Sequence, residues 1–391
     1  MKIDSVDFFY LSIPQVLDIG DGSQDALLVR IRAGGFEGWG ECEASPLTSI
    51  ASYVCPMSHS ACKPLKHSLE GMGISSVRDI KRISDLVHEN SLDLLQADHT
   101  LSGIDIALWD ILGKMLDEPV YRLLGYKKAY PKLPYASQLF GESPEATFEK
   151  AKKATAAGYK AVKFGWGPFG KTGLKNDIAQ LEAAREGLGK DAYLMIDAGT
   201  AWKVDVPAAK KRLASLNKIN AYWLEEPFIN AALEPYKKLS KATPRVPLAG
   251  GEGCNNYVQA QSMIKHAGLQ FIQIDAGRIG GITIAKEVAD LAKSSKITYV
   301  NHTFTSHLAL SASLQVYAGI EKDFISEYPV ELSSLAQEMS RTKIIPDKNG
   351  LIHVPESPGL GISVDTASLK KYLVDVEIKI NGKQLYYTPE F

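Results

Sequence analysis

The residues of this chain that could do chemistry recur at regular intervals. Three carboxylates close three successive short apolar runs: Asp197 after Leu194-Met195-Ile196, Glu225 after Tyr222-Trp223-Leu224, and Glu252 after Gly250-Gly251. Like charges gathered in a low-dielectric place need protons or a cation between them. Hard carboxylate oxygens with no thiolate or imidazole among them suit Mg2+. The next two runs end in Asp275, after Ile272-Gln273-Ile274, and in His302, after Thr298-Tyr299-Val300-Asn301. An imidazole with a carboxylate on its second nitrogen is a general base whose tautomer is fixed. In Lys160-Ala161-Val162-Lys163 the terminal ammonium could neutralise a substrate carboxylate or exchange a proton itself. Taken singly, each of these is more often a solvated strand-end residue; the reading rests on their common register.

That register implies the elements that hold them. Beyond Pro131, eight short apolar runs end near Ser137, Lys163, Asp197, Glu225, Glu252, Asp275, His302 and Glu327, at spacings of 26, 34, 28, 27, 23, 27 and 25 residues. A strand followed by a crossover helix and two short loops needs about that length. Eight consecutive units predict an α/β protein with a TIM-type barrel, whose C-terminal rim gathers strand-end residues far apart in sequence. The N-terminal region has a different texture. It predicts strands over residues 3–11 and 26–33, helical spacing over 76–88, and an amphipathic helix over 101–113 built on Leu101, Ile104, Leu108, Ile111 and Leu112. The expected division is an α+β cap in residues 1–125, a barrel in 126–365, and a tail in 366–391 that packs back on the cap.

Composition narrows the partners. With 44 basic and 45 acidic residues the formal charge is −1, which gives no footprint for nucleic acid or an anionic membrane. No run of 18 apolar residues and no basic, then apolar leader is present, so a cytoplasmic location is expected. Four cysteines in 391 residues make no disulfide framework, and Cys55, His59 and Cys62 fall one ligand short of a structural zinc site. Two glycine-bearing segments carry less weight. Gly165-Trp166-Gly167-Pro168-Phe169-Gly170 reads as a loop over the site with Trp166 as a wall. Gly277-Arg278-Ile279-Gly280-Gly281 opens a helix that could hold an anion at its N-terminus.

These residues resemble the enolase superfamily and, within it, the mandelate racemase and muconate-lactonising branch. The resemblance spans nearly the whole chain, through Gly38-Trp39-Gly40-Glu41, Ile104-Asp105-Ile106-Ala107-Leu108-Trp109-Asp110, Trp223-Leu224-Glu225-Glu226-Pro227, the Asp275 to His302 interval, and Pro358-Gly359-Leu360-Gly361-Ile362. It implies a modified (β/α)7β barrel with a capping domain completed by the C-terminal tail. It also implies Asp197, Glu225 and Glu252 as Mg2+ ligands, His302 with Asp275 as the base dyad, Lys163 as the first lysine of a Lys-x-Lys motif, Glu327 as a partner of the substrate carboxylate, and a homo-oligomer. The chain departs from the racemase pattern at Gly165, where a second lysine is usual. The Trp-Gly-Pro loop and a second histidine, His307, are closer to acid-sugar dehydratases.

The expected activity is a hydro-lyase reaction on a small carboxylate. His302 takes the α-proton of a sugar acid, Mg2+ stabilises the enediolate, and the 3-hydroxyl leaves to give a 2-keto-3-deoxy acid. The alternatives are racemisation or epimerisation of a 2-hydroxy acid or amino-acid derivative with Lys163 as second base, and a non-catalytic relic of the fold. Substrate choice is expected to lie with residues 13–24 and 44–63, together with Trp166 and His307.

Overall fold

The computed structural model describes residues 1–43, 45–243 and 245–391; Ala44, at the head of one expected specificity loop, and Pro244 lie outside the described residues. Strands β1 (Ile3–Ser12), β2 (Asp25–Ala33) and β3 (Phe36–Cys42) form an antiparallel meander. Its inner face packs on the helix Ala97–Leu116. The sequence predicts that helix as amphipathic, but from Thr100 to Gly113 every residue is buried. The reason is its position: one face lies on β3 and the opposite face meets the barrel helix Gly281–Ser294, so the helix is enclosed between two layers.

Eight parallel strands make the barrel: β4 (Leu133–Leu139), β5 (Ala161–Gly165), β6 (Tyr193–Asp197), β7 (Ala221–Glu225), β8 (Leu248–Gly250), β9 (Phe271–Ile274), β10 (Thr298–Asn301) and β11 (Ile325–Pro329). They follow sequence order around the wall from β4 to β10, and β11 pairs with β4. Between β10 and β11 side-chain bonds from Asn301 bridge the strands. Its Oδ1 accepts from Glu327 N at 2.9 Å and its Nδ2 donates to Glu327 O at 3.3 Å.

The two-residue period of a strand explains which side chains reach the rim. Leu133, Tyr135, Ala161, Met195, Trp223, Ala249, Phe271, Val300 and Ile325 fill the barrel interior. Two positions further along the same strand faces stand Ser137, Lys163, Asp197, Glu225, His302 and Glu327, so each is the next inward residue above a packed core layer. Glu225 and Asp197 are the last residues of their strands, as the sequence predicts. Asp275 and His302 lie one residue past theirs, and Glu252 lies two past β8, after Gly251 turns the chain at φ 118°. Ser137 and Glu327 sit inside their strands rather than at the ends.

The remaining chain ties cap to barrel. The N-terminus of the helix Gly281–Ser294, a candidate anion site in the sequence, is taken by the protein's own carboxylate: Asp105 Oδ1 accepts from Thr283 N at 3.0 Å. The tail forms a hairpin of β12 (Glu377–Ile380) and β13 (Lys383–Tyr387) that returns to the cap. Tyr386 donates to Phe8 O at 2.6 Å and Phe391 stacks on Phe9. Among the described residues no helix is long and apolar enough to cross a membrane.

Candidate functional site

The barrel rim and the cap enclose a cavity of about 260 Å3. Lys163, Asp197, Glu252, His302, Glu327 and Trp166 all line it. Glu225 lies beneath them, fully buried. The structure therefore brings together residues that the sequence places on six separate strands or strand ends. It does not bring His307 to this cavity. His307 begins the helix His307–Tyr317, its ring lies 6.0 Å from that of Tyr328, and its Nδ1 accepts from Ile344 N at 3.3 Å. Burial and Lys343 push its pKa down to about 4, so it stays neutral.

On one side of the cavity stands the dyad. His302 Nδ1 lies 2.7 Å from Asp275 Oδ2, and Asp275 Oδ1 is fixed by Gly277 N at 2.6 Å. A carboxylate on Nδ1 places the proton there and leaves Nε2 as the lone-pair nitrogen in the neutral ring. Nε2 is 3.5 Å from Glu252 Oε2. Burial alone would lower the pKa of His302, but Glu252, Glu327 and the bond to Asp275 outweigh it and push the value up to about 10. The value reflects carboxylates that carry no compensating charge of their own.

Opposite stands Lys163. Its Nζ is 2.5 Å from Glu225 Oε1, 2.8 Å from Glu327 Oε1 and 3.9 Å from Asp197 Oδ2. Burial would lower its pKa, yet Glu225 and Glu327 hold it well above the ordinary lysine value, so it is an ammonium. Glu327 is itself fixed by Ser137 Oγ and by Thr303 N, both at 2.7 Å. Two positions beyond Lys163, a Cβ on Gly165 would lie 2.6 Å from Asp197 Oδ2. A side chain there, a second lysine included, would displace that carboxylate.

The expected metal ligands pass the test of donor chemistry. All three are hard oxygens, burial together with Glu225 pushes Asp197 well above the usual carboxylate range, and Glu252 Oε2 is buried without a hydrogen-bond partner. Their neighbour Glu226 shares the strain: burial, Glu252 and Glu225 push its pKa up to about 8. Yet among the described residues no three such side chains already surround one point at ligand distance. The Lys163 ammonium, 2.5 Å from Glu225 and 3.9 Å from Asp197, supplies compensating charge there.

One contact of the site escapes a reading of the sequence. Arg278 lines the cavity and forms a two-pronged ion pair with Glu43 of the cap, at 2.5 Å and 2.7 Å. Burial would raise the pKa of Glu43, but Arg278 holds it at about 2. Trp166, expected as a wall, is wedged between two loops: a Cβ on Gly20 or on Gly199 would come within 3.0 Å of its ring. The Gly277–Gly281 motif is the one local signal for Arg278, and nothing local pairs it with a residue 235 positions away.

Similarity to known proteins defines the class. Residues 12–125 match the mandelate racemase / muconate lactonizing enzyme N-terminal domain, and residues 146–368 match the enolase C-terminal domain-like family. The chain belongs to the mandelate racemase and muconate-lactonising family of the enolase superfamily. It is 27% identical over 296 residues to D-xylonate dehydratase of Haloferax volcanii, covering 71% of this chain and 70% of that one. It is 28% identical over 389 residues to N-succinyl-L-Arg/Lys racemase of Bacillus cereus, covering 97% and 100%. Its structure superposes with a TM-score of 0.95, at 53% identity and 99% coverage of both chains, on the crystal structure of a predicted mandelate racemase from Rhodobacter sphaeroides.

Proposed function

We propose that this protein is a Mg2+-dependent dehydratase of a sugar acid. One observation carries the reading: a single base dyad, His302–Asp275, faces a lysine paired to two carboxylates, and a side chain at position 165 would collide with Asp197. The substrate carboxylate lies towards Lys163. A divalent cation held by Asp197, Glu225 and Glu252 would supply fixed positive charge beside that carboxylate and the 2-hydroxyl. His302 Nε2 takes the α-proton, while Asp275 holds the ring in place and stabilises its charged form. The C3–O bond then breaks, and the imidazolium returns its proton to the departing hydroxyl, which leaves as water. The enol that remains becomes the 2-keto-3-deoxy acid. One base serves both steps when the proton and hydroxyl leave from the same face.

Racemisation is the second reading, favoured by the full-length relation to a racemase and by Lys163 standing across the cavity from His302. Gly165 at the place of a second lysine, and the ion pairs that engage Lys163 with Glu225 and Glu327, weigh against a second base opposite His302. Incubating the Mg2+-loaded enzyme with a panel of sugar acids and assaying 2-keto acid tests the proposal. Release of 2-keto acid from at least one is expected; an epimer formed without water loss would replace dehydration by racemisation.

A further inference from the structure

The charges around the cavity restrict what the far end of the substrate can be. Five carboxylates line it against two permanent cations, Lys163 and Arg278. The cap contributes Asp21 and Glu43 to this wall and no Lys or Arg. Lys163 is engaged by Glu225 and Glu327 at the reacting end. Arg278 is the one further permanent cation among the described lining residues, and all three of its guanidinium nitrogens are in use. Nε and Nη2 bind the two oxygens of Glu43, and Nη1 donates to Glu252 O at 3.4 Å. A planar guanidinium recognises a carboxylate through just this fork, so Glu43 takes the Nε–Nη2 side of Arg278 and leaves a second substrate carboxylate only the remaining Nη hydrogens. With a divalent cation at the rim and His302 neutral, as the base must be, the formal charge of the wall is −1.

We infer that the site accepts monocarboxylic sugar acids with an uncharged distal end and rejects the corresponding dicarboxylic acids, with the Glu43–Arg278 pair as the specificity determinant. The inference deepens the sugar-acid reading above and rests on it. A diacid would either meet an uncompensated negative wall or have to displace Glu43 from Arg278, and both weaken binding. The remaining cavity wall from the cap loop and its neighbours, Ile19, Trp166 and Phe304, offers apolar faces that suit the carbon side of a polyol chain.

The test measures binding without turnover. The His302→Asn variant, loaded with Mg2+, is titrated calorimetrically with two matched pairs, gluconate against glucarate and galactonate against galactarate. At least one monoacid is expected to bind about 100-fold more tightly than its diacid. Adding Glu43→Gln, which frees Arg278, is expected to shrink that ratio by about tenfold. Asp21→Asn, on the cap loop, serves as a second variant should Glu43→Gln fail to fold, and is expected to favour the diacid severalfold. A diacid bound as tightly as its monoacid, a ratio unmoved by the charge variants, or no binding of either class overturns the inference. Monoacid preference in binding, with no 2-keto acid from any acid in the wild type, would keep the substrate class and discard dehydration.

Discussion

Two groups of buried carboxylates, both within this one fold, are built on opposite plans. At the seam between cap and barrel the carboxylates meet neutral donors or a single cation. Asp105 receives Thr283 N and Thr283 Oγ1 on separate oxygens, Asp110 receives Leu360 N on one oxygen and Trp39 N and Lys114 Nζ on the other, and Glu41 receives the Ser306 hydroxyl. At the barrel rim the carboxylates face one another, share one ammonium, and leave Glu252 Oε2 and Glu226 Oε1 without a hydrogen bond. The seam uses buried charge to dock one layer on another, where satisfied hydrogen bonds give net stability. The rim accumulates charge it does not satisfy, the arrangement expected where an incoming cation and substrate complete the set.

The sharpest way to break this contrast is at His302. Its replacement by Asn should lower turnover by about 10^4-fold while leaving Mg2+ binding intact, which steady-state assays and calorimetry check. Lys163→Met comes next. Losing the ammonium strands the rim carboxylates, so the metal-free protein should be less stable by about 3–5 kcal/mol, with Mg2+ restoring more of the melting temperature than in the wild type. A melting temperature insensitive to the substitution would place the rim on the same plan as the seam.

Effects at the seam should be smaller and confined to stability. Asp105→Ala removes two satisfied bonds and should cost about 2 kcal/mol in urea unfolding, with turnover per folded molecule within about twofold of wild type. Asp105→Asn should change little except the pH profile. Burial pushes the Asp105 pKa up from 3.8 to about 7, while hydrogen bonds from Thr283 oppose the rise. The folded state therefore keeps a proton that the unfolded chain has lost. This carboxyl contributes most stability below about pH 4, and the contribution declines as pH rises to 7. The Asn variant should lose that part of the slope when stability is measured across the interval.

Much of the barrel was legible because the strand period and the spacing of apolar runs act locally. Met195 and Asp197, or Trp223 and Glu225, lie two positions apart on one strand, so the core residue predicts the rim residue. What lay beyond reading came from contacts across long sequence distances. The helix Ala97–Leu116 looked amphipathic because its second apolar neighbour, the helix Gly281–Ser294, is remote in sequence. Glu43 and Arg278 belong to different layers, and neither sequence neighbourhood announces the other. His307, expected at the site from the resemblance to acid-sugar dehydratases, begins a helix that turns its ring towards Tyr328. Ser137 and Glu327 were placed near strand ends that lie two residues further on, a boundary that apolar pattern alone does not set.

The central claim is that His302 is the only base at this rim and that it serves a loss of water. The most direct test is proton NMR of the Mg2+-loaded enzyme acting on an accepted sugar acid in 2H2O. The account predicts accumulation of the 2-keto-3-deoxy acid, no C2 epimer of the starting acid, and neither product from the His302→Asn variant. Appearance of a C2-deuterated epimer without 2-keto acid would contradict it and assign Lys163 the second base.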